Sequence, residues 1–287
     1  MIRTATLSEN KLTATTLSEN KGSATLTENK SGTGRMSSIR LLGARLVFGG
    51  ALLGIWELVT RSGWVDRDFL PEPTAIASWL GEALSDGSIH RNAIATGMAM
   101  FLAFVIGSAS GILVGVLFGQ FQRVAAVVSP FIYFLNALPR VALAPLLILY
   151  LGISIWSKVS LGVSIVFFVL LLNTVAGLRS VDPDHVKLAK LNRFSARQVF
   201  WKVSLPTAVP TIFAGLKLSA VYSLLGVVVS EMVASTSGLG QLIIYNTNTF
   251  NIAGVYGTLF ILAMLALILT SCMDIAERKL LSWQRFS

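Results

Sequence analysis

The chain has 287 residues, of which 54% are hydrophobic and 13% charged, and its formal net charge is +9. Runs of about 20 apolar residues recur, long enough for helices to cross a ~30 Å hydrocarbon core. The single cysteine, Cys272, excludes an intrachain disulfide and a cysteine metal site. The basic residues lie mostly in loops beside apolar runs, so membrane topology explains the charge better than nucleic-acid binding. We therefore expect an integral membrane protein.

The first 38 residues are polar and repetitive. Segments 4–11, 15–21 and 23–30 each contain one leucine and end in Glu-Asn-Lys. Such segments bury too little apolar surface to offset the entropy of ordering. We predict a disordered tail at 1–38 and a transmembrane domain at 39–287. Initiation at Met36 is an alternative interpretation of the same region.

The apolar runs predict an all-α integral membrane fold, because spans in lipid must satisfy their own backbone hydrogen bonds. We expect the third of the spans to be broken by Pro130, Pro139 and Pro145. A surface helix at 74–84, capped by Thr74, is expected between the first two spans. The six predicted spans are 41–60, 93–118, 124–151, 157–178, 209–232 and 253–275.

Lysine and arginine set the predicted orientation. They concentrate in the loop after the fourth span and in the C-terminal tail, whereas the loop at 233–252 has none. The positive-inside rule then places both termini in the cytoplasm, and segments 61–91 and 233–252 outside.

The second span carries small residues at every fourth position. Small residues at this spacing let two helices approach closely in lipid, so we interpret the stripe as a packing surface. Its members are Ala95, Ala99, Ala103, Gly107, Gly111, Gly115 and Gly119.

The broken third span is the best candidate for a substrate pathway. Broken membrane helices usually line a cavity, and an arginine at bilayer depth needs water, a partner or a ligand. Arg140 is alternatively a snorkelling residue or one paired with a backbone carbonyl. Asn136 and Asn173 alternatively only bridge helices, and Glu231, at the end of the fifth span, alternatively caps the outer loop. The candidates are Asn136, Pro139, Arg140, Asn173 and Glu231.

The segment at about 182–210 is basic and amphipathic. Its apolar pattern is interrupted at Asn192-Arg193, which favours two short helices over one. A basic amphipathic segment either lies on anionic lipid or docks on another protein. The pattern alone leaves both interpretations open.

Several short motifs occur in a characteristic order. They are Leu70-Pro71-x-Pro73, Ala137-Leu138-Pro139-Arg140, Val181-Asp182-Pro183, Ser237-Gly238-Leu239-Gly240, and, in the basic loop, Ala189, Gln198, Leu205 and Pro206. In these motifs the chain resembles, from about residue 70 to 286, the permease subunits of ATP-binding-cassette (ABC) importers of the nitrate/sulfonate/taurine type. The loop motif of that family reads Glu-x-Ala, three residues, Gly, then Ile-x-Leu-Pro.

The resemblance implies a type I importer permease with six helices in a bacterial inner membrane. Its partners would be an ABC ATPase, an extracytoplasmic solute-binding protein, a second permease copy and membrane lipid. It implies no bound cofactor, since the ATPase partner uses ATP, and the chain lacks a Gly-x-x-x-x-Gly-Lys-Ser/Thr loop. The substrate would be a small solute, with an anion such as sulfonate, taurine or nitrate favoured. The implied ATPase-docking residues are Lys187, Ala189, Leu191, Arg193, Phe194, Arg197, Leu205 and Pro206.

Two positions depart from the family motif. Lys187 stands at the glutamate position and Arg193 at the glycine position. Glycine there permits a positive φ, so we expect Asn192, which tolerates that conformation better than arginine, to take over the turn.

Two other function classes remain as alternatives. An ATP-independent channel or secondary transporter usually needs ionisable residues at mid-membrane, and the sequence suggests almost none beyond Arg140. A membrane-embedded enzyme is disfavoured by the absence of His, Cys and carboxylate clusters.

Overall fold

The computed structural model describes residues 38–66 and 69–280, so the predicted tail lies outside the described residues except for Ser38. Every regular element in these ranges is helical, which confirms the all-α fold. The chain divides into two units at Gly49/Gly50, and the residues from Gly50 onward belong to the second unit. The α-helices are α1 (Ser38–Arg61), α2 (Pro73–Ser85), α3 (Ser88–Gln120), α4 (Gln122–Ala137), α5 (Ala144–Leu151), α6 (Ile155–Arg179), α7 (Pro183–Leu191), α8 (Ala196–Val199), α9 (Leu205–Val233), α10 (Leu239–Asn248) and α11 (Ile252–Leu280).

Five helical segments of the described residues are long and apolar enough to span a membrane: Gly43–Arg61, Ser88–Gln120, Ile155–Arg179, Ala196–Val233 and Ile252–Leu280. A sixth candidate is a pair, Gln122–Ala137 and Arg140–Leu151, bent by 80° at its break. The six predicted spans therefore correspond to five straight segments and one bent pair.

The prolines of the bent pair act differently from one another. Pro139 lies in extended backbone at the break, as predicted. Pro130 lies inside the continuous helix α4, so the expectation that it breaks the span is wrong. Membrane helices tolerate an internal proline when neighbouring groups satisfy the freed backbone. Pro145 lies in the first turn of α5, where its missing N–H would have had no helical partner.

The small-residue stripe of α3 packs against α6, as the sequence predicts. A Cβ added at Gly111 would lie 2.6 Å from the Phe167 carbonyl oxygen, and one at Gly115 would lie 2.6 Å from Thr174 Cβ. Residue numbers rise together along both helices, so α3 and α6 run parallel. The absence of side chains at these glycines is what permits the close approach.

Helix α9 packs on another side of α6 and runs antiparallel to it. Gly226 approaches Gly162, whereas Gly215, nearer the start of α9, approaches Asn173 near the end of α6. Helices α3, α6 and α9 thus form the buried centre of the second unit.

Helix α2 lies beside the C-terminal half of α1. It begins at Pro73, with Glu72 at the N-cap, so the expected cap at Thr74 is wrong. The Thr74 hydroxyl donates instead to Glu57 on α1 at 2.8 Å. The Thr74 side chain, predicted to cap α2, therefore forms a tertiary hydrogen bond with α1 instead.

The central helices define two ends of the bundle. The α10 end contains the starts of α3 and α6, the end of α9, and α10 itself. The α7 end contains the ends of α3 and α6, the start of α9, and the short helices α7 and α8.

Candidate substrate pathway and coupling surface

The basic segment folds as two short helices, as its interrupted pattern predicts. Asp182 caps α7 by accepting a hydrogen bond from the Asp184 N–H at 2.8 Å, and Pro183 occupies the first turn. Ser195 and Gln198 form a reciprocal capping box at the start of α8. These local interactions specify both helix starts without help from the rest of the bundle.

The turn between the two helices is made by Arg193. Its φ is +60°, whereas Asn192 has a φ of −80°. The Arg193 N–H donates to Lys190 O at 2.9 Å, and the Phe194 N–H donates to Ala189 O at 3.1 Å. This pair of bonds is a Schellman motif with arginine at the position that usually holds glycine.

The expectation that Asn192 takes over the turn is therefore wrong. In a Schellman motif the left-handed residue directly follows the C-cap, and the C-cap here is Asn192. The helix end selects Arg193 for the positive φ, in spite of the strain that a side chain adds there.

The segment carries large side chains that the described chain leaves uncovered. Leu191 is 79% exposed, and Phe194 is 36% exposed with Lys202 above its ring at 5.4 Å. Lys187 pairs with Asp184 at 2.8 Å, and both side chains are exposed. Among the other residues predicted to dock an ATPase, Ala189 is buried, Leu205 is half-buried, and the exposed ones are Arg193, Arg197 and Pro206.

Arg140 lies close to the middle of the bundle. Its guanidinium is 4.4 Å from the ring centroid of Phe168, and Phe168 lies near the midpoint of α6. It also donates to the Asn136 carbonyl at 3.1 Å and to the Asn136 side chain. No carboxylate pairs with it among the described residues, and its Nε is buried without a partner there.

The other pathway candidates are not gathered around Arg140. Pro139 is exposed at the break of the bent span. Asn173 lies five residues after Phe168 on α6. Its side chain donates to Val169 O at 2.8 Å and packs against Gly215 of α9. Glu231 lies at the α10 end. The structure therefore brings together only Asn136, Pro139 and Arg140.

Glu231 is the centre of a buried network at the α10 end. Its side chain is fully buried and accepts hydrogen bonds from Thr96 Oγ1 at 2.8 Å and from the Gly240 N–H at 3.0 Å. Lys158 Nζ lies 3.3 Å from Glu231 Oε1 and donates to the Ser237 carbonyl at 2.6 Å. The carboxylate thus joins α3, α6 and α9 to the loop before α10.

The loop backbone is shaped to fit this carboxylate. Gly238 has a φ of +119°, and a Cβ there would overlap the Glu231 carboxylate. The Gly238 N–H donates to Asn92 Oδ1 at 2.7 Å, and the Leu239 N–H donates to Thr96 Oγ1 at 2.8 Å. The Ser-Gly-Leu-Gly motif is therefore the backbone complement of the buried acid.

Sequence reasoning missed Lys158 and Thr96. Lys158 is 6% exposed and lies in the first turn of an apolar helix, where a lysine is usually assigned to the interface. A second group joins Lys217 of α9 to Asp274, at 2.7 Å, and to Glu277 of α11. The helices therefore carry two further groups of paired ionisable residues besides Arg140.

Comparison with known proteins identifies the family. Residues 107–283 match the family model described as "Binding-protein-dependent transport system inner membrane component". An aliphatic sulfonates transport permease protein of Bacillus subtilis is 30% identical over 239 residues, covering 83% of this chain and 87% of the relative. A formylaminopyrimidine transport permease protein of Halalkalibacterium halodurans is 28% identical over 235 residues, covering 82% of this chain and 93% of the relative.

Solved structures agree on the fold. The structure of an amino acid ABC transporter with histidines matches 70% of this chain and 97% of its own, with a TM-score of 0.59 and 18% identity. At that identity the likeness establishes the helical arrangement alone. Together with the family match over residues 107–283, it confirms the type I importer fold that the motifs suggested. The chain belongs to the binding-protein-dependent transport system inner membrane components, as a multi-pass permease subunit of an ABC importer.

Proposed function

We propose that this permease forms the translocation pathway for a small anion in a bacterial inner membrane. The observation that carries the proposal is the guanidinium of Arg140, which lies near mid-bundle on the broken span and has no carboxylate partner among the described residues. A guanidinium at the bilayer centre costs at least ~2.5 kcal/mol unless water, a partner or a ligand compensates it. Asn136 and the Phe168 ring offset part of this cost, and an anionic substrate supplies the opposite charge during passage.

A sulfonate is the substrate class that we favour. The guanidinium fork matches the paired oxygens of a sulfonate, carboxylate or nitrate. Both hydrogen bonds to Asn136 come from one terminal nitrogen of Arg140, Nη2. The other nitrogens of the guanidinium therefore remain for a ligand. The sulfonate permease among the relatives adds support, although the formylaminopyrimidine permease shows that the family includes other substrates.

A separate ATPase supplies the energy in this proposal, and the chain binds no nucleotide or other cofactor. The ATPase docks on α7 and α8, where Leu191 and Phe194 are exposed and Arg193, Arg197 and Lys187 surround them with positive charge. The proposed docking set also includes the buried Ala189 and, at the start of α9, the half-buried Leu205 and the exposed Pro206. Movement of the segment then reaches α9 directly, because α8 passes through one π-helical turn, Phe200–Ser204, into α9.

The remaining partners follow from the two ends of the bundle. The basic α7 end and both termini face the cytoplasm, according to the positive-inside rule. A solute-binding protein delivers substrate at the α10 end. A second permease copy completes the pathway, since α4 exposes a row of large apolar side chains that include Phe131, Phe134 and Val127.

The test is co-purification followed by transport. The tagged chain is extracted gently from native membranes, and we expect an ATPase and a solute-binding protein to accompany it. Reconstituted into liposomes, the complex should take up a radiolabelled sulfonate on addition of ATP. Arg140→Gln should reduce uptake strongly without reducing ATPase co-purification, whereas Arg123→Gln, a matched change on exposed α4 surface, should have no effect. A chain that crosslinks to no ATPase, or that transports without ATP, would favour the channel or secondary-transporter alternative.

The departures at Lys187 and Arg193 point to a co-adapted groove on the ATPase. Since Lys187 reverses the charge of the family motif, the ATPase surface facing it should be acidic. The double variant Lys187→Glu/Arg193→Gly restores the motif and should weaken assembly with the native ATPase. Unchanged transport and complex formation in this double variant would remove the support for a co-adapted groove.

A further inference from the structure

The α7 end contains a cleft that the transport proposal does not use, apart from Arg197, which lies both in its wall and in the proposed ATPase-docking segment. It has a volume of about 790 Å³ and lies between the ends of α3 and α6, the start of α4, and α8 with the turn that follows it. Most of its wall is apolar, with Phe118, Val175 and Val199 among the lining side chains. The wall also contains two cationic side chains, Arg179 and Arg197.

Neither guanidinium is neutralised by the part of the chain that the structure describes. Arg179 ends α6 and Arg197 lies in α8, and neither guanidinium forms an ion pair or hydrogen bond with residues 38–66 or 69–280. The acids nearest in sequence have other partners, since Asp182 caps α7 and Asp184 pairs with Lys187. The cleft therefore presents two positive charges beside an apolar wall.

The depth of the cleft matches the border between lipid headgroups and acyl chains. Helix α3 ends at Gln120 and α6 at Arg179, so the guanidiniums lie where the spans leave the membrane. Phe118 and Val175 lie two and four residues before these helix ends, further into the bundle, and are half-buried. Positive charge at the rim and apolar surface beneath it are the complement of a phospholipid with an anionic headgroup.

We propose that this cleft binds one anionic phospholipid, with its phosphate at Arg179 and Arg197 and an acyl chain along Phe118 and Val175. Guanidinium groups bind phosphate oxygens through paired, charge-assisted hydrogen bonds. A soluble phosphate would use the rim alone and leave the apolar wall uncovered, which is why we assign the site to a lipid. Because the wall includes α8 and Phe200, the lipid would also brace the segment that docks the ATPase.

The test measures which lipid the protein retains. The complete chain is reconstituted in nanodiscs of equal parts phosphatidylglycerol and phosphatidylcholine, released, and examined by native mass spectrometry. We expect one tightly held phosphatidylglycerol per chain. Retention should fall about fivefold in Arg179→Gln and about 25-fold in the double variant Arg179→Gln/Arg197→Gln, from the usual contribution of one arginine near an anionic surface. Arg123→Gln, a basic residue at the same end that does not line the cleft, should retain the lipid fully.

Two further arms separate the possible occupants. Ala196→Phe places bulk in the cleft and leaves both arginines, so it should also lower retention even if the double variant fails to fold. Inorganic phosphate added to nanodiscs should not displace the lipid. Equal retention in wild type and Arg179→Gln, equal loss in Arg123→Gln, or displacement by inorganic phosphate would each overturn the proposal. Because the chain is reconstituted without an ATPase, these outcomes are independent of whether an ATPase docks on α7 and α8.

Discussion

The two ends of the bundle differ in how this chain accommodates its charged and apolar side chains. At the α10 end, Lys158 and Glu231 are buried and paired, and the carboxylate receives further hydrogen bonds from Thr96 and Gly240. At the α7 end, Leu191 is 79% exposed, and Arg193 adopts a positive φ in a solvent-facing turn. The Glu231 network is complete within one chain, whereas the exposed side chains of the α7 segment remain for another molecule to cover.

This difference predicts where mutations act. A buried charge that loses its partner destabilises the fold strongly, because the low-dielectric interior offers no water to replace the partner. An exposed charge or apolar side chain contributes little to folding, and its loss is felt only when a partner binds. Changes at the α10 end should therefore affect folding, and changes at the α7 end should affect assembly.

The largest effect is expected from Lys158→Met, which leaves the buried Glu231 carboxylate without its cation. We expect a loss of about 3–5 kcal/mol in the free energy of unfolding, measured by thermal or denaturant unfolding in detergent. Lys187→Met removes a lysine from an exposed pair at the other end and should cost less than about 0.5 kcal/mol. The double variant Lys158→Met/Glu231→Gln should recover part of the loss. Equal effects of the two lysine variants would contradict the comparison.

The contact between α3 and α6 runs between the two ends and should be the next most sensitive. Gly111→Val places side-chain atoms against the Phe167 carbonyl, since a Cβ there already lies at 2.6 Å. Overpacking of this kind typically costs about 1–3 kcal/mol. Gly97→Ala on the same helix meets nothing within 4 Å and should be neutral or stabilising, because alanine favours helix. Unfolding of both variants in detergent checks this, and a tolerated Gly111→Val would show that the helices separate easily.

Leu191→Asp should separate folding from assembly. The side chain is exposed, so the free energy of unfolding should change by less than about 0.5 kcal/mol. If Leu191 anchors the ATPase, binding should weaken at least about tenfold, as for a central interface residue. Phe250→Asp, a matched change of an 86% exposed side chain near the α10 end, should leave ATPase binding intact. Titration of the purified ATPase against each variant in nanodiscs measures this, and unchanged binding by Leu191→Asp would remove the α7 surface as the docking site.

Arg193→Gly should have a smaller effect on stability. Glycine relieves about 1–2 kcal/mol of left-handed strain. It also adds conformational entropy to the unfolded chain, worth about 0.5–1 kcal/mol. We expect a net stabilisation below about 1 kcal/mol and a clear destabilisation by Arg193→Val, both measured by denaturant unfolding. Destabilisation by glycine would mean that the arginine side chain itself supports the turn.

The smallest effect concerns Asp86 in the exposed turn between α2 and α3. The Ser88 N–H, which donates to Asp86 Oδ1 at 2.7 Å, lowers the pKa of this carboxyl, with smaller contributions from the Ser88 side chain and Arg91. Its stabilisation is therefore present above the unfolded pKa and lost as pH falls through the lower, folded pKa. The stability difference between wild type and Asp86→Asn should shrink between ~pH 6 and ~pH 3. A stability difference that does not change with pH would indicate that the Ser88 N–H does not favour the charged form of the Asp86 carboxyl.

Elements with a local cause were predicted well. The spans follow from apolar length, the break at Pro139 from the missing donor, and the two short helices from the interruption at Asn192-Arg193. The predicted packing stripe of α3 was also confirmed. Small residues at every fourth position let two helices approach closely, so the pattern predicts a packing surface without knowledge of the partner helix. Thr74 was predicted wrongly because its hydroxyl bonds to Glu57 on another helix, and Pro130 because an internal proline can stay within a continuous membrane helix.

The network at the α10 end shows the limit of sequence reasoning most clearly. Lys158 and Glu231 are 73 residues apart, and Thr96 is 135 residues from Glu231. Each lies near the end of an apolar run, where a polar residue normally faces the membrane border. The opposite charges of Lys158 and Glu231 at the ends of two spans were a possible signal. No pattern within either span shows that the two residues meet.

The sequence by itself determined that this chain has helices long and apolar enough to cross a membrane, that its third span breaks at Pro139, and that a basic amphipathic segment follows the fourth span. These features depend on hydrophobicity and backbone geometry, which act over a few turns of helix. Only the tertiary structure decided that α3 and α6 run parallel, that Glu231 meets Lys158, and that Arg140 lies near mid-bundle. Those outcomes depend on which helix faces pack together, and close packing of distant segments is a property of the whole chain.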